Sequence, residues 1–279
     1  SSLNNSIFIK PFGHLSEGSA HDGVDGFETQ TRGISFGFDH VTRGGAVIGL
    51  SYSTSETEVD GEGAGNVEHD FDTQQLTFYG DYSTDKVYIE AMVGLARNDN
   101  DTSRTIAQGG INRTAKGSYD SYQASFSVSG GVPLRTNKNG YVTPILSLST
   151  SLLNSDEYTE TGATNLNLKI DPDDYFSAIT ALGFRWHGVI DHEKGGTSVP
   201  EFRIGAGYDV GGDTVSTKAN FTGGGQSFTV DGVNDRASAT VGLGYTLSYG
   251  GVSFGINADA IAKEHGAGGS ASAELKVKF

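Results

Sequence analysis

Residues 237–260 read ASATVGLGYTLSYGGVSFGINADA. In the first half, Ala237, Ala239, Val241, Leu243, Tyr245, Leu247 and Tyr249 alternate with Ser238, Thr240, Gly242, Gly244, Thr246 and Ser248. After a short break the pattern resumes, with Val252, Phe254, Ile256, Ala258 and Ala260 set against Ser253, Gly255, Asn257 and Asp259. A period of two puts every apolar side chain on one face of a strand and every small or polar one on the other.

The same alternation recurs along the chain. Tyr122, Ala124, Phe126 and Val128 alternate with Ser121, Gln123, Ser125, Ser127 and Ser129. Ile34/Phe36/Phe38, Ile48/Leu50/Tyr52, Val87/Ile89/Ala91/Val93/Leu95 and Phe202/Ile204/Ala206/Tyr208 repeat it. About twelve such segments are present and no stretch of helical period competes with them. The connections alternate in length. Short ones are expected near residues 41–45, 83–86, 135–140, 188–196 and 249–251, and long ones near 14–26, 55–69, 98–115, 157–172 and 211–235. The last outer connection, 264–269, is short. Short turns at one end and long loops at the other are the habit of outer-membrane barrels, in which an even strand number brings both chain ends to the short-turn side.

Alternation alone fits a soluble sandwich, whose polar face meets water, as well as a membrane barrel, whose polar face lines a lumen. The polar face decides between them. It is made of Ser, Gly, Thr, Gln and Asn rather than of the long charged side chains of solvated strands. The expected strands also run to about fifteen residues, well beyond the usual five or six. The sequence thus predicts an all-β fold, a transmembrane antiparallel up-and-down β-barrel of about twelve strands, with short periplasmic turns and long extracellular loops. Residues 1–6 are expected to be the remnant of a linker or helix segment and residues 7–279 the barrel.

Composition agrees. The chain has 279 residues, 41 Gly and no Cys, a formal charge of −15 and a mean hydropathy of −0.31. An acidic chain with a pI near 4.7 is a poor partner for nucleic acid. No run approaches the roughly 18 apolar residues of a spanning helix. The first residues lack the basic and apolar regions of a signal peptide, so an exported protein is expected here as a mature or excised piece. The lack of Cys removes disulfides and thiolate metal sites.

The inward phase carries Lys10, Asp39, Asp81, Glu90, Arg185, Glu201, Arg203, Asp209 and Asp259, where charge avoids lipid. The small residues Gly94, Ser125, Ser127, Ser129, Gly205, Gly207, Gly242 and Gly244 share it and are expected to keep a passage open. Ile7 and Ile9 are assigned to lipid. Trp186, Tyr249, Tyr82 and Tyr141, beside short turns, are expected in an aromatic girdle. The chain ends with Ala273, Leu275, Val277 and Phe279 alternating with Ser272, Glu274, Lys276 and Lys278. A terminal aromatic on such a strand resembles the signal read by the outer-membrane assembly machinery.

These pieces together resemble the translocator β-domain of autotransporters, the type V secretion proteins. Ile7-Phe-Ile-Lys10-Pro11-Phe12-Gly13 resembles the family's first strand. Gly33-Ile-Ser-Phe-Gly37-Phe-Asp39-His40 and Ile48-Gly49-Leu50-Ser-Tyr52 resemble its second and third. Glu157-Tyr-Thr-Glu160-Thr-Gly162-Ala163-Thr-Asn-Leu166-Asn-Leu168 is similar to its Tyr/Glu-Gly-Ala-Leu stretch, and Phe221-Thr-Gly-Gly-Gly-Gln-Ser-Phe228 falls where it has a long outer loop. The resemblance implies a twelve-stranded outer-membrane barrel that exports and anchors an N-terminal passenger; a complete barrel in one chain is expected to be a monomer, and no enzyme activity is expected. It implies lipid, the passenger or its linker helix, and the barrel-assembly machinery as partners. In the family a helix runs through the lumen ahead of the first strand. The six residues before Ile7 are too few for it, so the Asn4-Asn5 pair is not assigned the self-cleavage that some members perform.

A stand-alone porin or adhesin barrel, or less readily a barrel hydrolase, is the alternative. A hydrolase would use His with acids or Ser at the outer rim. His14, His21, His69 and His265 fall on outer connections, but no spacing pairs a His with a nucleophile, and all are expected to be solvated. No cofactor or metal is expected. Asp99 with Asp101, and Asp173-Asp174, lack the spacing of a calcium loop.

Overall fold

The computed structural model describes residues 4–279 apart from 22, 64, 194, 213, 233 and 234. Twelve long strands form the wall: β1 Asn5–Gly18, β2 Phe27–Val41, β3 Val47–Gly61, β4 Val67–Ser83, β5 Tyr88–Gln108, β6 Ile111–Gly131, β7 Gly140–Ser155, β8 Tyr175–Gly188, β9 Thr197–Asp209, β10 Ala237–Tyr249, β11 Val252–Lys263 and β12 Gly266–Lys278. Each pairs antiparallel with the next, and β12 pairs antiparallel with β1, so the sheet closes into a barrel. Ile7 opposite Val277 and Ile9 opposite Leu275 set the register of closure. Asn5 and Phe279 exchange backbone hydrogen bonds of 3.2 and 2.8 Å, which brings both described chain ends to the short-turn end. The expected boundary at Ile7 therefore moves, because Asn5 and Ser6 already belong to β1; residues 1–3 lie outside the described residues.

The apolar phase faces outward on every strand. Leu182 is 68% exposed and Leu243 60%, and they stand in a continuous belt with Phe36, Phe78, Val93, Phe184, Ile204 and Phe254. An apolar surface of that extent is tolerated only where lipid covers it. Trp186, Tyr249 and Tyr82 sit in the belt near the short turns. Tyr141 does not. It lies in the opposite phase of β7 and stacks on His187 of β8, ring centroids 5.2 Å apart, where it belongs to the lumen side.

Several expected long loops are strands instead. The stretch 98–115 is the top of a hairpin, in which β5 and β6 pair without interruption up to Gln108 opposite Ile111. Gly109 and Gly110 turn it with φ of +62° and +81°, the conformation of a two-residue turn that suits Gly. The stretch 55–69 likewise shrinks to residues 62–66, because β3 and β4 pair up to Asp60 opposite Glu68. The error has one cause. These segments alternate polar with polar, so the hydrophobic period is invisible, yet the backbone pairing continues. Crossing the bilayer takes about 9–11 residues, and β5 and β6 have 21 each.

The outward face marks where the membrane ends. Above Ile34, Leu76, Leu95 and Tyr122, the outward positions of β2 to β6 become Arg32, Glu56, Glu58, Asp72, Arg97, Asp99 and Asp120, joined by pairs such as Arg32–Glu58 at 3.2 Å and Arg97–Asp120 at 3.1 Å. The long connections 157–172 and 211–235 build a second, four-stranded sheet from Tyr158–Thr159, Leu168–Pro172, Ser216–Phe221 and Phe228–Asp231. A bridge between Lys116 and Thr161 joins it to the edge of β6 that β7 leaves free. The pair Arg104–Glu160, at 2.6 Å, holds it there, with Glu160 buried.

Leu243→Arg, at the middle of the belt, should destabilise the folded barrel by about 2–4 kcal/mol in reversible refolding into lipid vesicles. Glu56→Arg, outward on β3 above the belt, should stay within about 0.5 kcal/mol. Equal costs at the two positions would contradict this placement of the membrane.

Candidate functional site

The barrel interior is the concave site of the molecule. Lys10, Phe12, His14, Ser35, Ser51, Gln75, Met92, Arg203, Asn257 and Asp259 come from strands on opposite sides of the ring and line one cavity of about 590 Å³. Two networks of charge organise it.

The first lies along the seam. Asp39, 2% exposed, accepts hydrogen bonds from Ser6 Oγ at 3.2 Å and from the Tyr79 hydroxyl, and pairs with Lys276 Nζ at 2.7 Å. Lys276 also lies 5.3 Å from the centre of the Phe8 ring and 3.8 Å from Glu274. One carboxylate thus ties β1, β2, β4 and β12 together beside the closure. The second network crosses the lumen. Arg203 pairs with Glu201 and with Asp259 at 3.0 Å, and Arg185 lies 3.9 Å from Glu201. Arg185 also sits over the ring of Tyr88, 4.3 Å from its centre, and Tyr88 donates to Glu90 on the same strand, β5. Asp81 stands directly opposite Glu90 across β4 and β5.

Of the residues singled out from the sequence, Lys10, Arg203 and Asp259 line this cavity together. Asp39, Glu90, Arg185 and Glu201 belong to the networks around it. Ser125, Ser127 and Ser129 form the inward row of β6, where Ser127 shares a hydrogen bond of 2.9 Å with Ser149. Two readings are corrected. Gly242 and Gly244 do not face free space: a Cβ on Gly242 would run into Asp259 and Arg203, and one on Gly244 would meet Asn257 at 2.8 Å. Their role is to leave a trough for the guanidinium. Asp209 is not part of the open lumen either. Its carboxylate, at the end of β9, accepts from the backbone N–H of Ala178, Gly211 and Gly212 at 2.9–3.2 Å and from Ser177 Oγ at 2.9 Å, and so builds the rim turn.

The sequence reading missed Phe8, Phe12, Tyr79, Tyr88 and Met92, which share the inward phase. Here too glycine was the available signal. Phe8 lies over Gly37, Phe12 over Gly33 and Tyr79 over Gly49, each ring filling the space a side chain would take on the neighbouring strand. A large inward residue directly across from an inward Gly is the pattern.

The histidines divide. His192 Nε2 is 2.6 Å from Ser198 Oγ, but Ser198 is 1% exposed and also accepts from the Tyr245 hydroxyl at 2.8 Å. That pair is structural and offers no open nucleophile. His69 is 3.1 Å from Asn100 and packs near Tyr119, which stacks on Tyr158, inside the wall above the membrane. His21 and His265 meet Asp235 at the outer rim. Burial opposes charge on Asp235, but hydrogen bonds from the ring and backbone N–H of His265 outweigh it and hold the carboxyl below the usual carboxylate range.

Residues 7–259 match the family model of the autotransporter beta-domain. The chain belongs to the autotransporter β-domain family. The translocator barrel is 23% identical over 262 residues to outer membrane protein A of Rickettsia conorii, a match covering 90% of this chain and 13% of that relative. It therefore spans only a small part of the curated relative's length. Its fold matches the translocator domain of the autotransporter NalP from Neisseria meningitidis, with a TM-score of 0.79 and 15% identity, over 100% of this chain and 90% of that one. It also matches the beta domain of the Bordetella autotransporter BrkA, with a TM-score of 0.70 and 15% identity, over 99% and 100% of the two chains. It is an outer-membrane translocator barrel, of a family whose β-domains are transport barrels carried with an N-terminal passenger.

Lys276→Met should leave Asp39 as an uncompensated buried charge and cost the autotransporter barrel about 2 kcal/mol or more. That is below the 3–5 kcal/mol of fully buried pairs because Lys276 is 26% exposed. Adding Asp39→Asn to Lys276→Met should recover most of the loss, as read from guanidinium unfolding in micelles.

Proposed function

We propose that this barrel exports its own N-terminal passenger through the lumen and then anchors it at the cell surface. The observation that carries the reading is the lumen itself, a polar, charge-lined cavity running inside a wall whose outer face is apolar. Eight strands are filled by their own side chains, and diameter grows with strand number. Twelve leave room for one helix, about 10–12 Å across with its side chains, or for one extended segment.

In this reading the short turns and both ends of the barrel lie in the periplasm and the long hairpins outside. The charged outward faces of β2 to β6 support that orientation, because they project beyond the belt at the long-loop end only. A segment leading into Asn5 would reach the barrel at the short-turn end, where Asn5 pairs with Phe279. Ala273, Leu275, Val277 and Phe279 then form the outward row of β12 that the assembly machinery reads, and the barrel acts without catalysis, cofactor or nucleic acid.

Single-channel conductance of the refolded barrel in a planar bilayer tests the lumenal route. A steady open pore is expected, closed by addition of a peptide carrying the residues that precede Ser1 in the full-length protein. An inserted barrel that stays silent with and without peptide would overturn the proposal. Phe279→Ser should lower the outer-membrane yield in cells severalfold while leaving refolding into micelles unchanged; an equal loss in both settings would make Phe279 a packing residue only.

A further inference from the structure

Three outer connections meet at one point beside the seam. His21 comes from the β1–β2 connection, Asp235 from the β9–β10 connection and His265 from the two-residue β11–β12 turn. One donor atom of each lies within 4.8 Å of the others. Residues 21 and 265 are at opposite ends of the sequence and meet only because β1 pairs with β12. Their rings stack, centroids 3.7 Å apart and 7° from parallel.

The hydrogen bonds around the rings favour metal ligation. His21 Nδ1 is 2.9 Å from the carbonyl oxygen of Ser19, which can only accept, so Nδ1 carries the proton. The neutral ring then presents a bare lone pair at Nε2, and that atom is shut off from solvent with no hydrogen-bond partner among the described residues. His265 Nδ1 is 2.7 Å from Asp235 Oδ1, while Asp235 Oδ2 accepts from the His265 backbone N–H at 3.1 Å. His265 Nδ1 and Asp235 Oδ1 thus face each other across a single proton, which an ion bound by both would displace. Metal-binding histidines are oriented as His21 is, one nitrogen donating to a carbonyl and the other facing the ion. The backbone is held as well: His21 exchanges two hydrogen bonds with Val24, and Ser19 N–H donates to the His265 carbonyl at 2.7 Å.

We propose that His21, His265 and Asp235 form a site for a divalent transition metal of the zinc class, which staples the three outer connections across the barrel closure. Two imidazoles and a carboxylate suit Zn²⁺, which takes N and O ligands at about 2.0–2.2 Å. They do not suit Ca²⁺ or Mg²⁺, which want oxygen alone. Two parallel rings do not aim their lone pairs at one point, so binding turns the His265 ring, 43% exposed, out of the stack. It also brings the three donors, which already lie within 4.8 Å of one another, to the spacing that ligands about 2.0–2.2 Å from one ion require. The site departs from the expectation that these histidines are merely solvated and that the chain holds no metal.

Titration calorimetry of Zn²⁺ into the refolded barrel in zwitterionic micelles tests it, with Co²⁺ absorption as a second measurement. One Zn²⁺ per chain is expected. Binding should weaken at least tenfold in H265Q and vanish in H21Q/H265Q, while H14Q binds as the unchanged chain does. Co²⁺ should give the intense visible bands of a low-coordinate site in the unchanged chain and not in the double variant. Heat-modified mobility in gels establishes that each variant is folded, and the unchanged barrel should unfold at higher temperature with Zn²⁺ present. Equal binding by the unchanged chain and by folded H21Q/H265Q, or Co²⁺ spectra of the octahedral kind in both, would overturn the proposal and assign the ion to exposed carboxylates.

Discussion

In hydrocarbon a backbone N–H or C=O has no water to turn to, so a sheet that crosses a membrane must have no edge. The pairing of β1 with β12 meets that demand here, and the rest of the molecule depends on its register. A slip of one residue would send every inward side chain of a strand to lipid. With Ile7 opposite Val277 and Phe8 opposite Lys276, Ile7, Ile9, Leu275 and Val277 face out, Phe8 packs inward over Gly37, and Lys276 turns inward to meet Asp39. The buried ion pair and the closure are therefore one arrangement, with the carboxylate touching side chains of all the strands that flank the seam.

Inside the ring, small residues and large ones work as pairs. An inward Gly on one strand receives a ring or guanidinium from its neighbour, as Gly37 receives Phe8, Gly49 receives Tyr79 and Gly242 receives Arg203. The lumen is consequently lined by side chains lying along the wall, with charges such as Arg203 paired within its strand to Glu201 and across β10 to Asp259, and Lys276 paired across β1 to Asp39. Such a lining lets a lumen be polar with its arginines and Lys276 compensated by nearby carboxylates. A wall of this kind suits the proposed passage of a single chain segment.

Above the membrane the same sheet continues for a different reason. Outward positions of β2 to β6 change from apolar to charged over two to four residues, as from Leu95 to Arg97, while the hydrogen-bonded ladder runs on unbroken. Water replaces lipid outside, but the backbone pairing is indifferent to that change. The second sheet and the Arg104–Glu160 pair cover the edge of β6 that β7 leaves open, which blunts a free strand edge in solvent. The rim histidines belong to this solvent-facing part, where the outer connections of β1, β9 and β11 come together.

By itself the sequence determined the strand number, the faces and the membrane setting. A period of two with Ser and Gly opposite apolar residues has few other physical solutions, and the stretch 237–260 alone shows it. Family membership was legible in the order of weak motifs from Ile7 to Phe279. Strand ends in the outer region were not legible, because polar residues alternating with polar residues carry no hydrophobic period; only the pairing of β5 with β6 up to Gln108 and Ile111 reveals them. The phase of Phe8 and Phe12 around Lys10 was equally hidden, since an aromatic fits lipid and a glycine trough alike. What tertiary structure alone decided is which distant residues meet. Asp39 with Lys276, Arg185 with Tyr88, and His21 with His265 are brought together by closure of the ring, a long-range constraint that local sequence does not encode.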